Sequence, residues 1–148
     1  MNWKRNMPRK SQEKIVLDAW AVLAFLFGEQ PAADAVRDIF VKQNTSRSSI
    51  YMSWINLGEV YSIVRRKKGA DAADAVLDDI QLLPIKLEAP SKSDILSAAK
   101  LKASHTLSYA DAFAVNLAQK IHGTLCTGDP EILLLGETFK VQALSRTL

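Results

Sequence analysis

The chain has 148 residues, 48% of them hydrophobic and 24% charged, with a formal net charge of +3. That is enough for one domain around one core, and it excludes a disordered chain. No apolar run reaches the ~18 residues needed to span a bilayer. The basic start, Met1 to Lys14, has no apolar centre of the kind a secretory signal needs. A cytoplasmic protein is expected.

The charge is unevenly placed. Residues 1–14 carry +4 and leave −1 for the remainder, so the isoelectric point near 9.0 belongs to the start of the chain. Global basicity is therefore a weak sign of a nucleic-acid partner, and the local run Arg65-Arg66-Lys67-Lys68 says more. The single cysteine, Cys126, excludes an internal disulfide. With His105 and His122 it makes too few donors, wrongly spaced, for structural zinc.

Residues 1–13 read as a basic flexible tail interrupted by Pro8, with Met7 a second candidate start and 14–148 as the folded domain. Lys14 to Leu17 is a short apolar run that reads as a buried parallel strand, and Asp18 ends it. Ala19 to Phe27 reads as a helix stopped by Gly28. A second helix begins at Pro31, with Ala35, Val36, Ile39 and Phe40 on one face. Ile50 to Met52 is a second strand, and Ser53 can cap a helix over Trp54 to Lys68, stopped by Gly69. Ala70 to Leu83 has helical spacing through Ala73, Val76, Leu77 and Ile80, and Pro84 separates it from a third strand at Ile85 to Leu87. Ser91 to Ser104 repeats the helical period through Ile95, Leu96, Ala99 and Leu101. Ser108 opens a helix to His122, with Gly123 as its stop, followed by a fourth strand at Thr124 to Thr127. A short helix follows Asp129-Pro130 and runs through Leu135, and Val141 to Leu144 is a last strand. Short strands alternating with helices imply an α/β fold, a parallel sheet with helices on both faces.

In open α/β sheets ligands bind at the carboxyl ends of the strands. Asp18 directly follows the first strand, and Asp129 lies two residues after the fourth. Asp111 sits in the first turn of the helix opened by Ser108, and Glu59 is about a turn and a half into the helix after the second strand. Each has an ordinary explanation. Asp18 and Asp129 suit helix N-caps, Ser108 and Asp111 fit a capping box, and Glu59 suits a solvated helix face. The four stretches Leu17-Asp18-Ala19, Asn56-Leu57-Gly58-Glu59-Val60, Leu107-Ser108-Tyr109-Ala110-Asp111-Ala112 and Thr127-Gly128-Asp129-Pro130 occur in that order. Together they resemble the PIN-domain nucleases, most closely the VapC-type toxins of prokaryotic toxin–antitoxin pairs. The resemblance covers residues 15 to about 145. Gly128 departs from it, standing where a polar residue such as Asn is common.

The resemblance implies a PIN-like three-layer sandwich and a cleft where Asp18, Glu59, Asp111 and Asp129 hold Mg²⁺ or Mn²⁺. Hard divalent cations want oxygen ligands, and clustered carboxylates repel unless a cation neutralises them. Such an ion polarises a phosphate oxygen and activates water, so an endoribonuclease needs no protein nucleophile. A VapB-type antitoxin and a homodimer are the partners it implies, with RNA as substrate. Rival readings are an RNA-processing PIN nuclease without antitoxin and an inactive PIN module that binds RNA or protein. Thr127 is a candidate to orient a carboxylate from behind, and Arg65, Arg66, Lys67 and Lys68 are candidates to guide the RNA backbone. Trp20 and Trp54 are expected in the core or at a subunit contact, and Asn116 is expected to face solvent.

Overall fold

The computed structural model describes residues 12–45, 47–136 and 138–147. The expected tail therefore lies almost wholly outside the described residues, as does Trp3, while Glu13 is the first residue of a strand. Five strands form one sheet: β1 (Glu13–Leu17), β2 (Ser48–Ser53), β3 (Ile85–Glu88), β4 (Thr124–Thr127) and β5 (Val141–Ala143). The helices are α1 (Ala19–Leu26), α2 (Ala32–Gln43), α3 (Trp54–Lys68), α4 (Ala70–Leu82), α5 (Lys92–Ser104), α6 (Tyr109–Ile121) and α7 (Pro130–Leu133). The strand order is β3-β2-β1-β4-β5 and every pairing is parallel. The chain builds outward from β1 in one direction, then crosses back to place β4 on its other side. The junction of β1 and β4 is thus the topological switch point, where crevices open at the strands' carboxyl ends.

Side-chain alternation explains the layers. Ile15, Leu17, Ile50, Met52 and Cys126 point to one face, into a core completed by α1 to α4 through Val22, Val36, Leu57, Val60 and Ile80. Val16 and Leu125 point to the other face, against Ala98 of α5, Ala112 to Ala118 of α6, and Ile132 of α7. The Cys126 thiol is among the buried groups, and burial pushes its pKa up to about 12, so it is an inert core side chain. No helix among the described residues is long and apolar enough to cross a membrane.

Two local expectations need correction. In α5 the expected apolar stripe is not the buried one: Ala98 is the buried residue, while Ile95 and Leu96 are exposed. A small residue lets α5 lie close to its neighbour; of the larger apolar chains, Leu101 still packs against the core while Ile95 and Leu96 are left outside. Asn116 is buried rather than solvent-facing. Of the two tryptophans expected in the core or at a subunit contact, Trp20 packs against the first core, and Trp54 is 39% exposed, which of the two places leaves it the subunit contact.

Helix α6 ends differently from its reading as well. His122, not Gly123, takes the left-handed conformation (φ 54, ψ 41), and its N–H bonds back to Ala118 and Gln119. Gly123 is required for another reason, since a Cβ there would lie 2.9 Å from the Lys14 carbonyl oxygen. The left-handed region costs a side-chain-bearing residue ~1–2 kcal/mol, and glycine's extra unfolded-state freedom offsets ~0.5–1 kcal/mol of that. His122→Gly should therefore raise unfolding free energy by about 0.5–1 kcal/mol, read as a higher urea midpoint at unchanged slope. An unchanged or lower midpoint would show that His122 is not strained.

Candidate active site

Parallel pairing of β1 with β4 puts Leu17 beside Cys126, so the next residues, Asp18 and Thr127, emerge side by side at the switch point. The Thr127 hydroxyl donates to one Asp18 carboxyl oxygen, and the other accepts from the Ala21 N–H at 2.8 Å. The same Thr127 oxygen accepts the Asp129 N–H at 3.0 Å. Thr127 thus ties two of the expected acids to one strand end. The helix-cap readings hold as geometry: Asp18 caps α1, Ser108 caps α6 by accepting the Asp111 N–H at 3.1 Å, and Asp129 caps α7 by accepting the Glu131 N–H at 2.9 Å. Capping uses only part of each group. At Asp111 the cap bond runs through the backbone N–H, while the carboxyl shares hydrogen bonds with Ser108 and with the Asp129 carboxyl.

The tightest acid set is Asp111, Asp129 and Glu131, with one carboxylate oxygen from each lying within 4.8 Å of the others. Glu131 was missed by sequence reasoning, although its spacing two residues after Asp129, past a proline that opens a helix, was a usable signal. Asp18 and Glu59 stand around this trio at electrostatic range. Burial pushes Asp18 up to about 7 against its Thr127 and Ala21 hydrogen bonds, and the charges of Asp111 and Asp129 add to the rise. Burial likewise pushes Asp111 up to about 7, helped by the Asp129 charge, a hydrogen bond between those two carboxyls and the Glu59 charge. Glu59 is raised by burial and then by Asp129. The structure therefore brings all four expected acids into one electrostatic neighbourhood.

Glu59 comes to this neighbourhood because α3 and α6 are fastened together. Asn56, fully buried three residues before it, donates to the Ala110 carbonyl at 3.0 Å. The Glu59 Oε2 atom is itself buried without a hydrogen-bond partner, which is costly for a carboxylate unless something binds it. An open cleft of about 260 Å³ borders Glu59, Asp111 and Asp129, and Arg66 and Lys67 line it too. The Lys67 ammonium lies 5.5 Å above the Phe27 ring, and Arg65 is turned to the Tyr61 hydroxyl at 3.1 Å. Two members of the basic run thus reach the cleft.

The Gly128 departure has a steric cause. A Cβ there would fall 2.3 Å from Cη2 and Cζ2 of Trp20, whose indole lies against the turn that delivers Asp129. Gly128→Ala must displace either the indole or the turn, and overpacking of this kind costs about 1–3 kcal/mol. Urea denaturation should show that loss; a neutral substitution would mean the indole swings aside freely.

Fold and site together define a doubly wound α/β protein with an acidic centre at its switch point. A family model of the PIN domain matches residues 15–136, and the chain belongs to that family. A comparison with curated proteins found no match. Among solved structures the chain is similar to Mycobacterium tuberculosis VapC20, described as a sarcin–ricin loop cleaving toxin. That likeness has a TM-score of 0.68 and 19% identity, covering 90% of this chain and 99% of that one. It is similar as well to VapBC2 from Rickettsia felis bound to a promoter DNA fragment (TM-score 0.68, 14% identity, 89% and 99% covered). A third is VapBC-1 from nontypeable Haemophilus influenzae (TM-score 0.64, 13% identity, 88% and 97% covered). At these identities the likeness establishes the fold.

Proposed function

We propose that the chain is an endoribonuclease dependent on Mg²⁺ or Mn²⁺, acting as the toxin of a toxin–antitoxin pair. The observation that carries this reading is the convergence of Asp18, Glu59, Asp111 and Asp129, with two carboxyls pushed to about 7 and burial and like charges, not a cationic side chain, driving the rise at Asp18, Glu59 and Asp111. The donors are all hard oxygens, and the buried, unpartnered Glu59 Oε2 is the kind of oxygen a hard divalent cation binds. Asp111, Asp129 and Glu131 offer the closest set, with Asp18 and Glu59 beside it. When bound, a divalent ion would neutralise these acids, polarise a phosphate oxygen and make a water more acidic.

The chain's own part is positioning. Thr127 fixes the Asp18 carboxyl, the Asn56 bond to α6 holds Glu59 over the cleft, and Arg66 and Lys67 meet an incoming phosphate backbone. The likeness to VapC20 and to VapBC complexes supports a VapB-type antitoxin and RNA as the substrate, and a homodimeric toxin is what the family resemblance implies. The purified chain should cut single-stranded RNA with Mn²⁺ and stop on addition of EDTA. Its expression should arrest growth unless a small DNA-binding partner encoded beside it is co-expressed. Absence of cleavage at every Mn²⁺ concentration, or cleavage indifferent to EDTA, would defeat the assignment.

A further inference from the structure

Arg146, just past β5, is the third cation lining the carboxylate cleft, after Arg66 and Lys67. Its placement is over-determined. The guanidinium carbon lies 5.2 Å from the Trp20 ring centroid, and Nη1 donates to both Glu29 carboxylate oxygens, at 3.2 and 2.9 Å. Trp20 is in turn seated against Gly128, which only a glycine allows. A guanidinium has five N–H donors. Here the Nη1 pair is spent on Glu29, while Nε and Nη2 make no hydrogen bond to any described residue. That leaves the edge of the fork suited to two oxygens of a phosphate. The side chain keeps 39% of its surface exposed, so an anion can reach it.

The arrangement at the other end of α1 is parallel in kind. Lys67 lies over Phe27 as Arg146 lies over Trp20. The two aromatic residues are seven positions apart, so their rings are set ~10 Å apart along the helix axis at 1.5 Å per residue, with one cation on each. A polyanion approaching a centre of five acids needs cations that do not collapse onto those acids. Stacking on rings achieves this, since it holds each positive charge at the rim.

We propose that Arg146 binds a phosphate of the RNA strand at the Trp20 end of the cleft, while Lys67 and Arg66 take the backbone at the Phe27 end. This rests on the nuclease reading above and adds to it a second anchoring point that positions the strand across the carboxylates.

The test measures binding of a fluorescently labelled single-stranded RNA to the full chain in EDTA over a range of salt, and separately kcat and KM with Mn²⁺. Arg146→Ala should weaken binding about 10-fold and reduce the magnitude of the log–log salt slope by about 0.7, one phosphate contact on a single strand. KM should rise with kcat nearly unchanged, and Arg146→Lys should restore part of the affinity. Glu29→Gln is the control for a merely structural ion pair. It breaks the pair but keeps the guanidinium, so it should lower melting temperature as Arg146→Ala does while RNA affinity holds or improves. The proposal is overturned if wild type binds no RNA, if Arg146→Ala binds with wild-type affinity and slope, or if Glu29→Gln loses affinity equally. RNA that is bound through Arg146 yet never cut with Mn²⁺ would defeat the nuclease reading and leave the Arg146 assignment standing.

Discussion

Asp111→Asn is expected to reduce Mn²⁺-dependent RNA cleavage by about 10³-fold or more while making the metal-free protein more stable at pH 7.5. Asp111 sits at the centre of the acid group. It shares a hydrogen bond with Asp129 and feels the charge of Glu59. Its contribution to the α6 cap comes from its backbone N–H, which the substitution keeps. The fold therefore keeps the backbone bond of the helix start, an Asn side chain can still bond Ser108 where the carboxyl does, and the site sheds a carboxylate that ionises at a cost. About 1–2 kcal/mol of added stability is the expected scale. Asp18→Asn should abolish cleavage as well, without the same gain, because its carboxyl oxygens accept from Ala21 and Thr127. The measurements are gel-resolved cleavage and urea denaturation in EDTA. Full activity in Asp111→Asn removes that residue from the site. A metal-free variant less stable than wild type would show that the carboxyl is a structural group rather than a repelled one.

The second large effect is a pH dependence that the ion reverses. Asp18 and Asp111 rise from the ordinary aspartate value of 3.8 to about 7 in the folded chain. Between roughly pH 4 and pH 7 the folded state holds protons that the unfolded state has released. Stability therefore falls as pH rises through that window and levels off above it. Without metal the melting temperature should be higher at pH 5 than at pH 8, by about 5–10 °C for a stability difference of a few kcal/mol. Divalent ions compete with those protons, so Mn²⁺ should stabilise strongly at pH 8 and weakly at pH 5. At 100 times the dissociation constant the gain is about 2.7 kcal/mol. A melting series at both pH values, with Mn²⁺ and with EDTA, decides the matter. A melting temperature blind to Mn²⁺ at pH 8 would contradict a shared site. Metal-free stability that rises from pH 5 to pH 8 would contradict the burial of these acids in protonated form.

Much of the element order was legible because it is local. Apolar runs of four or five residues, each followed by a capping residue and a 3.6-residue period, marked strand–helix alternation. Gly69 ends α3 where its sequence reading put the stop, at φ 95. The acids Asp18 and Asp129 could be placed at strand ends by counting, and Asp111 and Glu59 in helices by the same means. That they belong together was legible only through their resemblance to a family, since each is also an adequate cap or helix residue by itself.

What the sequence could not express is which distant segments are neighbours. Strand order sets that, and it is decided by how the two apolar faces of β1 are covered. Placing β4 beside β1 puts Thr127 against Asp18, and fastening α3 to α6 through Asn56 brings Glu59 toward Asp111. Glu131 joins the acids because Pro130 opens α7 directly after Asp129, and the cap bond from the Glu131 N–H to the Asp129 carboxylate holds the two together. Asn116 and the α5 stripe were misread because helical period identifies a face but not what lies opposite it. The Gly128 departure and the role of Arg146 are wholly tertiary, for both depend on an indole supplied by α1. The sequence by itself determined the elements, their order and the presence of the acids, because those follow from short-range periodicity and caps. Only the tertiary structure decided that the acids share one field and that cations stand at its rim, because burial and Coulomb interactions depend on distance through space rather than along the chain.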